Sequence, residues 1–146
     1  IHVKRDNIEV CPGTSLLWDQ RYAGAFKDLK FFHAAVLVGS IVSKPSEDLI
    51  CLNLGHKSVA SEMDFPRLKL LNMKNLKQVS HSEEHLVVEC NGSDEYSVGT
   101  ICYAIPTHIC PTVPKYEKVL TVIDGEVTGD WKVAARDHST KSILYK

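Results

Sequence analysis

Residues 119–135 read VLTVIDGEVTGDWKVAA. Two runs rich in β-branched residues, Val119–Ile123 and Val127–Ala135, flank Asp124-Gly125. Both turn positions tolerate positive φ, so the stretch reads as a tight β-hairpin. Working outward, the same punctuation repeats. Thr100–Ile105 is a strand halted by Pro106, and Leu86–Cys90 (LVVEC) runs into a turn at Asn91-Gly92. Leu49–Leu54 ends at Gly55, and Phe31–Ser43 (FFHAAVLVGSIVS) stops at Lys44-Pro45. About six or seven short strands with regular turn signals predict an all-β barrel or sandwich. Helical signal is thin: Arg21–Lys27 holds one turn or two, and Met63–Leu71 is ambiguous around Pro66. The expected architecture is therefore a compact β-barrel with little helix, one domain over residues 1–146.

The totals agree. A chain of 146 residues suits one domain with one sizeable core, and 44% hydrophobic with 24% charged residues is ordinary for a soluble globular protein. Net charge is -1 with no Lys/Arg run, which argues against a nucleic-acid partner. The longest apolar runs fall far short of a membrane span, and no signal-peptide pattern opens the chain. The first residue is Ile1 rather than Met, which reads as a piece of something longer. Cys11, Cys51, Cys90, Cys102 and Cys110 are odd in number and contain no CxxC pair. Three of them, Cys51, Cys90 and Cys102, sit in apolar stretches as core filler. Free thiols of this kind predict a reducing, cytoplasmic compartment.

One segment carries chemistry: Ala104-Ile105-Pro106-Thr107-His108-Ile109-Cys110-Pro111-Thr112-Val113. In extended backbone, side chains at i and i+2 share a face, so His108 and Cys110 project together. Pro111 pushes the residue before it toward extended geometry. An imidazole nitrogen beside a thiolate suits Zn²⁺, and two protein ligands leave open positions, as in a catalytic rather than a structural site. The alternative is a loop histidine next to a half-buried cysteine.

The wider pattern resembles the C-terminal region of the D-threonine aldolase and D-serine dehydratase family. Val98-Gly99 through Val113 and the phrase Trp131-Lys132-Val133-Ala134-Ala135-Arg136 carry the resemblance. Pro12-Gly13-Thr14, Leu52-Asn53-Leu54-Gly55-His56-Lys57-Ser58-Val59-Ala60 and Ser82-Glu83-Glu84-His85 extend it over nearly the whole chain in the same order. Such enzymes place pyridoxal phosphate on a lysine of an N-terminal barrel, followed by a β domain of the alanine-racemase type that helps to close the active site in homodimers. The resemblance implies that His108 and Cys110 are the divalent-metal pair and that the substrate is a small D-3-hydroxy amino acid. The second ligand is typically aspartate in the aldolases and cysteine in the dehydratases, so Cys110 tilts the metal toward zinc and the chemistry toward dehydration. No phrase here resembles the cofactor-lysine site, so this chain alone is expected to be inactive.

Around that pair, His85 with Glu83 and Glu84, Lys57, and Tyr116 are candidate catalytic residues. Their bland readings are a surface cluster, a solvated turn lysine and a packed tyrosine. Tyr103 is expected to pack within its strand, Trp131 to face the core, and Arg136 and His56 to sit at the surface. Asp137-His138 reads as tail. Two rival functions remain open: a stand-alone β-barrel interaction module that has lost the chemistry, and a racemase-like enzyme whose His-x-Cys is incidental.

Overall fold

A computed structural model describes residues 13–91 and 95–136. Among them are eight strands and one short helix, α1, Gln20–Ala25. The strands are β1 (Leu37–Ser46), β2 (Leu49–Leu52), β3 (Leu68–Leu70), β4 (Leu76–His81), β5 (Leu86–Cys90), β6 (Ile101–Pro106), β7 (Lys118–Ile123) and β8 (Glu126–Lys132). The first six form one antiparallel sheet in the order β3-β6-β1-β2-β5-β4, and β7 pairs only with β8. No helix among the described residues is long and apolar enough to cross a membrane.

Alternation explains which face of the sheet is buried. In β5, Leu86, Val88 and Cys90 turn inward while Glu89 faces solvent. In β6, Cys102 and Ala104 turn inward between the exposed Ile101 and Tyr103. With Leu37, Ile41, Ile50, Leu52 and Leu68 they build the apolar interior. Burial of these side chains drives the sheet to curl around them. The sheet is a half-barrel, as expected, and its two edges meet through one side chain. Gln78 of β4 accepts from the Arg67 amide at 2.7 Å and donates to the Leu68 carbonyl at 2.6 Å, clasping β4 to β3 without a backbone ladder.

The expected strand boundaries shift in informative ways. Phe31–Val36 is not strand, and Phe32 is 90% exposed; β1 starts only at Leu37, where β6 offers a partner. Lys44-Pro45 does not stop β1, because the β1–β2 pairing is irregular there and a bulge tolerates proline. Likewise Pro106 ends β6 from inside, opposite Leu68. The ambiguous 63–71 stretch becomes loop plus β3, and β4 (LKQVSH) was not anticipated because its pattern is mostly polar and half-exposed. The hairpin is as expected at its turn, with Asp124 at φ 51 and Gly125 at φ 84. Its body is not. β8 ends at Lys132, not Ala135, and Trp131 is 70% exposed instead of facing the core. Alternation in a two-stranded ribbon marks a core face only if something covers it, and β7 and β8 are almost wholly exposed among the described residues. Cys51, Cys90 and Cys102 are buried free thiols, as expected. Cys11 and Asp137-His138 lie outside the described residues.

Two of the sequence phrases meet at Gly55. Its amide donates to Glu84 O at 3.1 Å, while His56 and Lys57 donate to Ser82 O and Glu83 O. A Cβ on Gly55 would run into the backbone of Glu83, Glu84 and His85, so only glycine permits this approach. Gly55→Ala is expected to cost about 1–3 kcal/mol in urea unfolding, the range for forcing atoms into filled space. His81, beside this loop, donates from Nε2 to Leu54 O at 3.0 Å and packs its ring 4.4 Å from that of His56. Burial lowers its pKa, and among the described residues its Nδ1 has no partner with which to hold a proton. The unfolded chain therefore binds that proton more readily. The contribution of His81 is full above about pH 6.5 and declines as pH falls from there toward the depressed folded value. Melts of wild type and His81→Gln across that window are expected to show a smaller acid loss in the variant.

Candidate metal-binding loop

After β6 the chain carries His108 and Cys110, but not in the extended form the alternation predicts. Thr112 N and Val113 N both bond Ile109 O at 3.0 Å, so residues 109–113 close into a turn. Pro111 lies inside that turn and does not prolong the strand. The physical reason is a ring of side-chain partners that capture the loop backbone. Buried Asp19 accepts from Ile109 N at 3.1 Å through Oδ2 while its Oδ1 caps α1 through Tyr22 N at 2.8 Å. Thr112 Oγ1 donates to His108 O at 2.7 Å and accepts from Ala60 N at 3.1 Å. Thr107 is held through Arg67 O, Pro66 O and the Arg21 amide. Trp18, just before Asp19, sits at φ 56, a costly conformation for a bulky residue, with its side chain 2% exposed.

Each candidate ligand has a partner of its own. His108 places Nδ1 2.5 Å from Glu62 Oε1, and among the described residues its Nε2 has none. Cys110 is exposed, with Sγ 3.0 Å from the hydroxyl of Thr14, a buried residue of the Pro12-Gly13-Thr14 phrase. Burial pushes the Glu62 carboxyl upward, but a backbone hydrogen bond, His108 and Arg67 outweigh it and hold the group below the ordinary range. Among the described residues no three His, Cys, Asp or Glu side chains gather as a closed metal cluster. A free imidazole nitrogen and an accessible thiol nevertheless fit a soft divalent ion with open coordination positions. An open cleft of about 360 Å³, lined in part by Arg21, Met63, Phe65 and Thr107, lies next to this loop.

The other candidates stand apart from that pair. Lys57 is 2.8 Å from Glu83 and 2.6 Å from Glu84, and the two carboxylates, Glu83 first, raise its pKa and hold it charged at the surface. His85 is exposed in the turn that wraps Gly55. Tyr116 is half-buried against the core, and its hydroxyl donates to Ser58 O at 2.8 Å, bracing the loop from beneath. Burial raises its pKa. Tyr103 is 45% exposed, and its amide is held by the Asn72 side chain. His56 is half-buried against His81 and not simply surface. Sequence reasoning missed Glu62, Asp19 and Thr14. Asp19 was legible as a helix N-cap before α1. Nothing local marks Glu62, which lies 46 positions from His108.

Comparison with known proteins places this geometry. The family described as "Putative serine dehydratase domain" matches residues 34–122, more than half of the chain. A D-threonine aldolase of Arthrobacter sp is 28% identical over 112 residues, covering 76% of this chain and 29% of the relative. The crystal structure of a D-threonine aldolase from Filomicrobium marinum superposes with a TM-score of 0.74 at 23% identity, covering 86% of this chain and 34% of that one. A D-threo-3-hydroxyaspartate dehydratase with a histidine replaced by alanine gives a TM-score of 0.60 at 13% identity, over 69% of this chain and 31% of that one. A second structure of that dehydratase, with a cysteine two positions further on replaced by alanine, is described as metal-free. The chain thus spans about a third of the length of the relatives it matches. From the curled antiparallel sheet to the loop beyond β6, it belongs to the serine dehydratase domain family, within the fold that D-threonine aldolase shares.

Proposed function

We propose that this chain is the C-terminal β domain of a pyridoxal-phosphate- and metal-dependent lyase for small D-3-hydroxy amino acids, and that it supplies the metal ligands His108 and Cys110. The observation that carries the reading is the pair itself, an imidazole whose Nε2 is unpartnered among the described residues and an accessible thiol, both on a loop fixed from four sides. The His-x-Cys spacing also equals that of the two positions replaced in the dehydratase structures. The sulfur ligand favours zinc, and of the two chemistries among the relatives, aldol cleavage and dehydration, the cysteine at the equivalent spacing in the dehydratase favours dehydration.

In the complete enzyme, His108 and Cys110 would hold a divalent metal, which would supply Lewis-acid polarisation of the substrate's β-hydroxyl beside the electron-withdrawing cofactor. The chain's own residues hold that position still. Asp19 and Thr112 fix the loop backbone, Thr14 orients the thiol, and Tyr116 supports the turn. Lys57 and His85 face solvent, and in this reading they would line the approach from a neighbouring domain or a second subunit of a homodimer. Because the cofactor lysine belongs to the missing part, this chain alone would be inactive. The free buried thiols Cys51, Cys90 and Cys102 suit a reducing cytoplasm.

Zinc binding tests the reading directly. In the complete enzyme, His108→Ala and Cys110→Ala are each expected to remove stoichiometric zinc and to lower kcat for D-serine dehydration by roughly a hundredfold or more. Metal content by mass spectrometry beside keto-acid formation checks both. Full zinc occupancy and full activity in both variants would refute the assignment of these two residues, and a wild type fully active without zinc would favour a metal-free, racemase-like enzyme.

A further inference from the structure

We infer that Glu62 is a positioning residue for the metal site: its carboxylate holds the proton of His108 on Nδ1, so that Nε2 presents its lone pair to the metal. The inference deepens the proposed function and rests on it, because it assumes that His108 is a ligand.

The geometry behind it is specific. A neutral imidazole carries one N–H, and the nitrogen that keeps it cannot bind a metal. Left to itself, the ring distributes that proton between Nδ1 and Nε2. Here a carboxylate stands 2.5 Å from Nδ1, and no partner competes at Nε2 among the described residues. An ionised carboxylate accepts and never donates, so the hydrogen of this contact belongs to Nδ1. The alternative, a proton on Nε2, would set a lone pair of Nδ1 against the negative oxygen.

Glu62 is also well placed to do this continuously. It follows Ala60 by two positions, and the Ala60 amide is bonded to Thr112 Oγ1, which in turn bonds His108 O. The segment carrying the carboxylate and the loop carrying the ring are therefore tied together independently of the Glu62–His108 contact. His108 is a quarter exposed, whereas Glu62 is nearly half exposed. The carboxylate could thus be removed without opening the core, which separates its effect on the metal from any effect on folding.

A carboxylate behind a ligating histidine raises the basicity of the ring and fixes its orientation, and its loss typically weakens metal binding 10–100-fold. The test is a zinc titration of the complete, metal-stripped enzyme and its Glu62→Ala, Glu62→Gln, His108→Ala and Cys110→Ala variants, with long-range ¹H–¹⁵N NMR of the imidazoles. In the wild type the His108 proton is expected on Nδ1 before zinc is added. Glu62→Ala is expected to weaken zinc binding roughly tenfold or more, to mix the two tautomers, and to leave the melting temperature unchanged. Glu62→Gln keeps an acceptor oxygen and is expected to fall between them, which guards against a Glu62→Ala variant that fails to fold.

The outcomes separate. Unchanged zinc affinity in Glu62→Ala, with binding lost in His108→Ala, would overturn the role of Glu62 and leave the metal assignment standing. A wild-type His108 protonated on Nε2 would overturn it as well, whatever the affinity. Zinc bound by His108→Ala and Cys110→Ala as tightly as by the wild type, or not bound by the wild type at all, would overturn the metal assignment and this inference together.

Discussion

A single buried carboxylate sets the position of everything chemical in this chain. Asp19 is fully buried and accepts two backbone N–H groups, one opening α1 and one in the loop after β6. A carboxylate in that setting is tolerable only if its oxygens are satisfied, so helix start and loop are compelled to stay where they are. The left-handed backbone at Trp18 is the strain that delivers Asp19 to this point. Ring contacts from Tyr22 and Phe31 onto the Trp18 indole, with centroids 5.6 and 5.0 Å away, help to hold it. His108 and Cys110 flank the residue that Asp19 grips. Their orientation is consequently a property of segments far apart in the chain, joined by one side chain.

The same logic runs outward. Thr112 links the loop to Ala60, Tyr116 links it to Ser58, and Gly55 lets those residues lie against Ser82–His85. The phrases that stand out in the sequence are therefore not separate active-site pieces. They are successive layers of one support, with the ligand loop at one end and the Lys57 ion pairs at the other. Lys57 and His85, the candidates read from sequence, lie in this support, where Lys57 is paired with Glu83 and Glu84.

The fold was legible where burial and pattern coincide. β5 is bounded as its apolar run dictates, because flanking turns and an inward-facing triplet agree. β4 was hidden because its residues sit at the rim, where lysine, glutamine and serine are as acceptable as valine. Trp131 misled for the opposite reason: its alternation is real, but among the described residues no second layer covers it. Of the candidate site, the His108 and Cys110 pair was singled out by residue type, whereas the turn that holds it could not be read. Pro111 is compatible with both extended and turned backbone, and the deciding partners, Asp19 and Thr112, act through tertiary hydrogen bonds. Glu62 was invisible for the same reason.

The Gln78 clasp has a bearing on how this domain keeps to itself. An open sheet ends in two rows of unpaired amides and carbonyls, a template on which another chain can add strands. Here one edge strand is only three residues long, and the Arg67 amide at its start and the Leu68 carbonyl are already occupied by an amide side chain from the opposite edge. A glutamine amide mimics the donor and acceptor of a peptide group, so it serves as a strand of length one. Two of the groups on which an added strand would pair are thereby taken, and the two edges are joined there without a backbone ladder.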